Sequence, residues 1–264
     1  MAKETYKCQH RAFIDKAMRK ELDIMQNILE NLKKFRLDTP IAHVIKREPD
    51  FTSYGDASLD AGGGFSNNLF WWHVEWPAEI KALTIKSITI TRRFPDAGNL
   101  VSINLLEFVV EIINYAAVTT LFSGDSSLCS HDYPILLNWT DNITSQSWLR
   151  KAASRTNKGR SLQHLLCSIM INNPVRIKAE HIAGSSNTLA DAISRVHSFS
   201  HSKSFEKILH QFPQMKSWKR FHPSRELLSV LYLGLSKEHD PGLCRPKELG
   251  HFAPGSSISK KFYT

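Results

Sequence analysis

The sequence lacks the features that define several classes of protein. Its four cysteines lie far apart and form no CxxC pair, which argues against a disulfide framework and against a zinc module. No apolar run approaches the roughly 18 to 20 residues of a membrane span. The N-terminal stretch MAKETYKCQHRAF has no apolar core of a secretory signal. We therefore expect an intracellular, reduced protein with no membrane partner.

What is present is a globular composition with an excess of positive charge. The 264 residues are 42% hydrophobic and 22% charged, which excludes wholesale disorder and allows one large domain or two small ones. The 34 Lys and Arg residues against 25 Asp and Glu give a net charge of +9. This balance favours a polyanionic partner, although charge alone does not identify nucleic acid.

The patterns divide the chain into three regions. We interpret residues 1–50 as a helical arm or connection, residues 51–198 as the main domain, and residues 199–264 as a basic linker with a short helix and a flexible tail. The arm carries an apolar stripe with spacings of 4, 3, 4 and 3, which predicts a helix that packs on a neighbouring domain. The stripe consists of Met18, Leu22, Met25, Leu29 and Leu32.

The main domain reads as an α/β fold, a mixed sheet covered by helices. Helical patterns cover residues 103–122, 143–153, 161–171 and 188–196. Strand patterns cover residues 51–56, 62–65, 69–76, 133–139 and 175–182, and a less certain one covers 85–91. The aromatic run at 70–76 is interpreted as core rather than as a base-stacking platform, because Trp72 and Trp76 share one face of a strand.

Four acidic residues stand at positions that suggest a shared site. Asp56 ends the first strand, Glu107 lies early in the long helix, Asp141 follows a buried strand, and Asp191 begins the last domain helix. If the two strands are parallel neighbours, their carboxyl ends open onto one crevice. Converging carboxylates repel each other unless cations lie between them, and oxygen ligands suit Mg²⁺ or Mn²⁺. Two such ions about 4 Å apart support phosphodiester hydrolysis.

Each acid also has a local explanation. Asp56 is a plausible turn former, and Glu107 fits the third helical position of a capping box that begins at Asn104. Asp141 is a plausible cap of the next helix, and Asp191 a solvated helix residue. Only the set, in this order on this pattern of elements, favours a functional site.

Four stretches of the sequence resemble the ribonuclease H domain of retroelement reverse transcriptases, of the type associated with a tyrosine recombinase. They are YGDASLDAGGGF (54–65), INLLEFVVEI (103–112), NWTDN (138–142) and HIAGSSNTLADAISR (181–195). The resemblance implies a ribonuclease H-like sheet of five strands in the order 3-2-1-4-5, with the first three antiparallel. It also implies that Asp56, Glu107, Asp141 and Asp191 hold two Mg²⁺ or Mn²⁺ ions.

The chain departs from the family pattern in two ways. A short turn, AGSSN, leaves little room for the histidine-bearing loop of cellular relatives, and His181 is interpreted as a strand residue whose part in catalysis stays open. No YxDD polymerase motif is present. We therefore expect a polymerase or another retroelement-encoded domain as partner.

A basic segment lies between the two helices that follow Asp141. It holds five positive charges and no negative one within residues 150–160, where related enzymes carry a protrusion that grips nucleic acid. Such contacts with phosphates give affinity but do not recognise the base sequence. The alternative interpretation of this segment is a solvated basic face of a helix. The predicted contacts to an RNA/DNA hybrid are Arg150, Lys151, Arg155, Lys158 and Arg160, together with Asn142 and Asn187 in the minor groove.

The sequence therefore predicts a metal-dependent endonuclease that cuts the RNA strand of RNA/DNA hybrids. One alternative is a non-catalytic nucleic-acid-binding or interaction domain on the same scaffold. A second is a nuclease of the same fold that acts on DNA. Kinship of fold does not choose among the three.

Overall fold

The computed structural model describes residues 16–30, 47–67, 69–89, 100–124, 131, 133–171, 173–196 and 202–236. It divides the chain into two units, Met1–Leu37 and Asp38–Thr264. The described residues of the first unit form a helix, α1 (Lys16–Glu30). The first four residues of the predicted stripe, Met18 to Leu29, are exposed within it. Leu32 and the helix end expected at Pro40 lie outside the described residues.

The second unit is built on a mixed six-stranded sheet, so the molecule has the expected α/β class. The strands are β1 (Phe51–Ala57), β2 (Ala61–Ser66), β3 (Phe70–Glu75), β4 (Ile135–Thr140), β5 (Arg176–His181) and β6 (Lys219–Arg220). Their order is β5-β4-β1-β2-β3-β6. Strands β1 to β3 are antiparallel neighbours, whereas β4 is parallel to both β1 and β5. The expected order 3-2-1-4-5 is present, but the prediction of five strands is wrong, because β6 adds a sixth beside β3.

Helices cover both faces of this sheet. They are α2 (Ala78–Thr89), α3 (Ile103–Gly124), α4 (Ile143–Lys151), α5 (Asn157–Ile171), α6 (Thr188–Ser194), α7 (Ser202–Gln211) and α8 (Arg225–Ser236).

The strand predicted at residues 85–91 is wrong over the residues that the structure describes, because 85–89 belong to α2. The chain enters this helix directly after Pro77, whose carbonyl accepts from the Lys81 N–H at 3.0 Å. Ile80 and Thr84, four residues apart, are its buried side chains, which is a helical spacing. The β-branched residues that suggested a strand, such as Ile85 and Ile88, face solvent.

Helix α3 is the apolar centre of the fold. It is long and apolar enough to cross a membrane, by length and composition alone, which corrects the expectation that no segment approaches this limit. However, 83% of its most apolar window is buried in the fold, as in the core helix of a soluble domain. Trp72 and Trp76 are buried in the same hydrophobic cluster, which confirms their interpretation as core residues.

Residues 202–236 belong to the folded unit, in contrast to their interpretation as a linker. On the face of the sheet opposite α3, Phe65 and Trp71 pack against α6 and against Trp218. Beyond β6, helix α8 places Leu231 in the cluster around α3. The short helix expected near residues 224–235 is confirmed as α8. The tail expected after it lies outside the described part of the chain.

Candidate metal centre

Three of the four predicted acids converge at one edge of the sheet. Asp56 lies near the end of β1, Asp141 follows β4 directly, and Glu107 comes from the second turn of α3. Parallel pairing of β1 with β4 brings the carboxyl ends of both strands to the same edge. One carboxylate oxygen from each of the three residues lies within 4.8 Å of the other two.

Asp56 is buried and fixed in place by α6. The Ser194 hydroxyl donates a hydrogen bond to the Asp56 Oδ2 atom. Burial raises the pKa of Asp56, the Ser194 hydrogen bond opposes this rise, and the negative charges of Asp141 and Asp191 add to it. The fold therefore holds a carboxylate where its negative charge is unfavourable.

Glu107 is the most strongly perturbed of the three acids. Its side chain is 4% exposed, and among the described residues no group makes a hydrogen bond to its Oε2 atom. Burial raises the pKa of Glu107 well above its usual range, and the charges of Asp56 and Asp141 raise it further. A buried carboxylate oxygen with no partner, facing two other carboxylates, is the arrangement that a divalent cation satisfies.

Asp141, directly after β4, is the third member of the group. Burial and the charge of Asp191 raise its pKa, while His181 opposes the rise. His181 is the last residue of β5, as predicted, and its Nε2 atom lies 3.2 Å from the Asp141 backbone oxygen. Asp141 does not cap α4, because the cap is Asn142, whose side chain accepts from the Ser145 N–H at 3.0 Å.

Asp191 lies at the edge of the cluster and is not part of the close group. It is in the first turn of α6, and its Oδ1 atom forms an ion pair with the Arg195 Nε atom at 2.6 Å. Its negative charge still raises the pKa of both Asp56 and Asp141, so it lies within electrostatic reach of them. The structure thus brings three of the acids together. The fourth, Asp191, lies beside them in an ion pair with Arg195.

The two asparagines predicted to contact nucleic acid both form hydrogen bonds within the fold. The Asn142 amide donates to the Asn104 side chain at 2.8 Å and so joins the starts of α3 and α4. Asn104 is inside α3, whose first N–H groups bond to the Ser102 carbonyl, so the predicted capping box is not formed. Asn187 is 2% exposed and donates to the Gly55 carbonyl at 2.8 Å, a burial that corrects its assignment to the minor groove.

Four of the five predicted basic contacts are on the surface. The exposed residues are Arg150, Lys151, Arg155 and Arg160, at the end of α4, in the following loop and in the first turn of α5. Lys158 is 3% exposed, and its ammonium group donates to the Leu235 carbonyl in α8. Lys158 therefore joins two helices, and its predicted contact with nucleic acid is corrected.

Three residues near the cluster have roles that the sequence analysis missed. Glu111 is completely buried one turn after Glu107, and burial raises its pKa to about 8. Ser194 holds Asp56, and Arg195 pairs with Asp191. The spacing of four between Glu107 and Glu111 was a readable signal, since such residues share one face of a helix. The spacing of four between Asp191 and Arg195 was a second readable signal of this kind, whereas no local pattern indicates the partner of Ser194.

Compared with protein-family models, curated proteins and solved structures, the chain matches none.

Proposed function

We propose that this chain is a metal-dependent nuclease of the ribonuclease H-like fold that hydrolyses the RNA strand of RNA/DNA hybrids. The observation that carries the proposal is the group formed by Asp56, Glu107 and Asp141, from three different elements, with oxygens within 4.8 Å of one another. The strand order β5-β4-β1-β2-β3 and its mixed directions support the proposed fold.

The side chains of the cluster fit the hard divalent ions Mg²⁺ and Mn²⁺, which prefer carboxylate oxygens. Asp56, Glu107 and Asp141 would hold one ion, and Asp191 with Asp56 would hold a second. When bound, such ions polarise a phosphodiester and lower the pKa of a water molecule. The unpartnered Oε2 atom of Glu107 is the observation in this chain that favours a cation over a purely structural acidic cluster.

The protein's own groups would prepare this site before any ligand binds. The Ser194 hydroxyl fixes the orientation of Asp56, and the fold keeps Glu107 away from water. Fixed carboxylates in a partly dry site cost no reorganisation when charge develops on a substrate. The exposed basic residues around Arg155 would hold phosphates at a distance from the cluster and supply affinity.

The choice of an RNA/DNA hybrid as substrate rests on the resemblance of the four sequence stretches. On the same ground we propose that the chain works in the reverse-transcription machinery of a retroelement. A polymerase on another domain or another chain would make the hybrid. The exposed cationic residues favour a nucleic acid as substrate but do not distinguish RNA from DNA.

A strand-specific cleavage assay tests the proposal. Hybrids labelled on either strand, with matched duplex DNA, are incubated with the protein in Mg²⁺ or in EDTA. We expect cutting of the RNA strand alone, only with Mg²⁺. Glu107→Gln should lower the rate by roughly 100-fold or more, because it removes several kcal/mol of transition-state stabilisation. Glu75→Gln is the matched control, since Glu75 is the exposed last residue of β3.

Other outcomes of this assay identify the alternatives. Binding of the hybrid without Mg²⁺-dependent cleavage would indicate a non-catalytic binding domain. Equal cutting of duplex DNA and of hybrid would indicate a nuclease that acts on DNA. Cleavage that Glu107→Gln leaves intact would contradict the assignment of the site.

A further inference from the structure

Arg195, which pairs with Asp191 beside the cluster, has no role in the nuclease activity proposed above. Arg195 follows Asp191 by four residues, at the C-terminal end of α6, so both side chains lie on one face of the helix. The Arg195 Nε atom is 2.6 Å from the Asp191 Oδ1 atom, a short charge-assisted hydrogen bond. The guanidinium of Arg195 thus occupies one carboxylate oxygen of Asp191, the acid that does not join the other three.

Arg195 also lies at the end of α6 that contacts the cluster. The preceding residue, Ser194, donates its hydroxyl hydrogen bond to the Asp56 Oδ2 atom. Asp56 and Asp191 are the two acids that a second cation would share, and the guanidinium already occupies one oxygen of Asp191. A cation and the guanidinium carry charges of the same sign, and both cannot use the same carboxylate oxygen.

We propose that Arg195 is a built-in competitor of the second divalent cation: it occupies Asp191 in the absence of that cation and is displaced from it when the cation binds. This inference rests on the proposed function, because it requires that the cluster hold cations.

The exposure of the pair makes the exchange feasible. The side chain of Arg195 is 66% exposed and that of Asp191 is 42% exposed, so the guanidinium can leave into water without breaking the core. Exposed ion pairs are weak, so the competition is modest. The first ion, among the three clustered acids, should then bind well before the second. The spacing of four residues between Asp191 and Arg195 is enough to bring the two side chains together on the helix.

Calorimetric titration of the full chain with Mg²⁺, without nucleic acid, tests the inference. We expect two classes of site in the wild type. Arg195→Gln should tighten the weaker class by about two- to fivefold, the range that an exposed ion pair provides. Arg195→Lys, which keeps the charge, should stay near the wild type. Arg225→Gln, at an exposed position in α8, removes the same charge and should change neither class.

A double variant locates the affected site. Asp191→Asn combined with Arg195→Gln should lose the weaker class and keep the stronger one. If Arg195→Gln and Arg225→Gln give the same titration, Arg195 does not compete and the inference is overturned while the metal centre stands. If no variant binds Mg²⁺, or if Glu107→Gln leaves all binding unchanged, the proposed metal centre fails and this inference fails with it.

Discussion

Glu111 is a buried carboxyl that lies outside the close group formed by Asp56, Glu107 and Asp141. It lies one turn beyond Glu107 on α3 and is completely buried. Burial raises its pKa to about 8, the Thr140 and Asn138 side chains oppose this rise, and the charge of Asp141 adds to it. At neutral pH the Glu111 carboxyl is therefore mostly protonated. A protonated Glu111 therefore adds no further negative charge next to the three clustered carboxylates.

Replacing Glu111 by Gln should remove a pH dependence of stability. The pKa of Glu111 is about 8 in the folded state, above its ordinary value of 4.5, so the folded state binds the proton more tightly. Its contribution to stability is complete below pH 4.5 and is lost as pH rises through 8, by up to about 1.4 kcal/mol per pH unit. Urea unfolding without divalent ions, from pH 5 to 9, measures the difference between wild type and Glu111→Gln.

The wild type should lose stability relative to Glu111→Gln as pH rises from 5 to 8, and the difference should level off above 8. Glu180→Gln is the control, because Glu180 is an exposed residue of β5 and its loss should not alter the slope. A difference between wild type and Glu111→Gln that does not vary with pH would show that Glu111 is not the titrating group.

Residue positions together with the family resemblance predicted a cluster of four acids, of which the structure brings three together. They did not predict the contacts of the neighbouring residues. Asp56, Glu107 and Asp141 each stand at a strand end or early in a helix, and topology alone brings such positions to one edge. The burial of Asn187 and the hydrogen bond from Ser194 to Asp56 depend on which side chains meet after folding. A local sequence pattern does not indicate such long-range side-chain contacts.

At the scale of elements, the contact between β2 and α6 fixes part of the site. Gly63 in β2 lies against α6 so closely that an added Cβ atom would be 2.8 Å from the Ser194 nitrogen and 3.0 Å from the Ile193 carbonyl carbon. These are backbone atoms, which cannot move aside as a side chain can. The absence of a side chain at Gly63 therefore lets α6 bring Ser194 to Asp56.

Gly63→Ala should disturb both stability and the site. We expect a loss of about 1–3 kcal/mol in the free energy of unfolding, because the new methyl group collides with the α6 backbone. Weaker Mg²⁺ binding should accompany it, since Ser194 moves away from Asp56. Gly124→Ala is the matched control: an added Cβ atom there meets nothing within 4 Å, and its effect should stay within about 1 kcal/mol.

Thermal unfolding and Mg²⁺ titration of the two glycine variants make the comparison. Equal stability of Gly63→Ala and Gly124→Ala would contradict the close packing of α6 on β2.

Elements that are buried along most of their length were predicted well, and the partly exposed helix α2 was not. The aromatic run of β3 and the long apolar pattern of α3 were readable because nearly every residue along them is buried. The segment from residue 85 to 89 has the β-branched composition of a strand, but Ile80 and Thr84 face the core at a helical spacing. Tertiary packing here overrides local preference.

At the scale of the whole molecule, the region after residue 202 completes the fold. The sequence indicated a linker because this region begins with a Ser- and His-rich stretch and residues 201–225 carry an excess of positive charge. In the structure Trp218 stacks on Phe65 with ring centroids 5.5 Å apart, and β6 pairs with β3. These contacts join residues about 150 positions apart, beyond the reach of a local pattern.

Leu231→Ala tests whether this region belongs to the cooperative unit. Leu231 is 0% exposed in α8, so the substitution should lower the free energy of unfolding by about 2–5 kcal/mol. Ile88→Ala, at a position that is 65% exposed, should change it by no more than about 0.5 kcal/mol. Chemical denaturation of both variants provides the measurement, and equal stabilities would mean that α8 does not contribute to the core.

The most direct test of the metal centre is anomalous X-ray scattering from crystals of the protein soaked in Mn²⁺. Our account predicts an anomalous peak about 2 Å from oxygens of Asp56, Glu107 and Asp141, and loss of that peak in Glu107→Gln. A second, weaker peak is expected beside Asp191 at high Mn²⁺ concentration. Crystals with these three carboxylates in place and no peak among them would contradict the account.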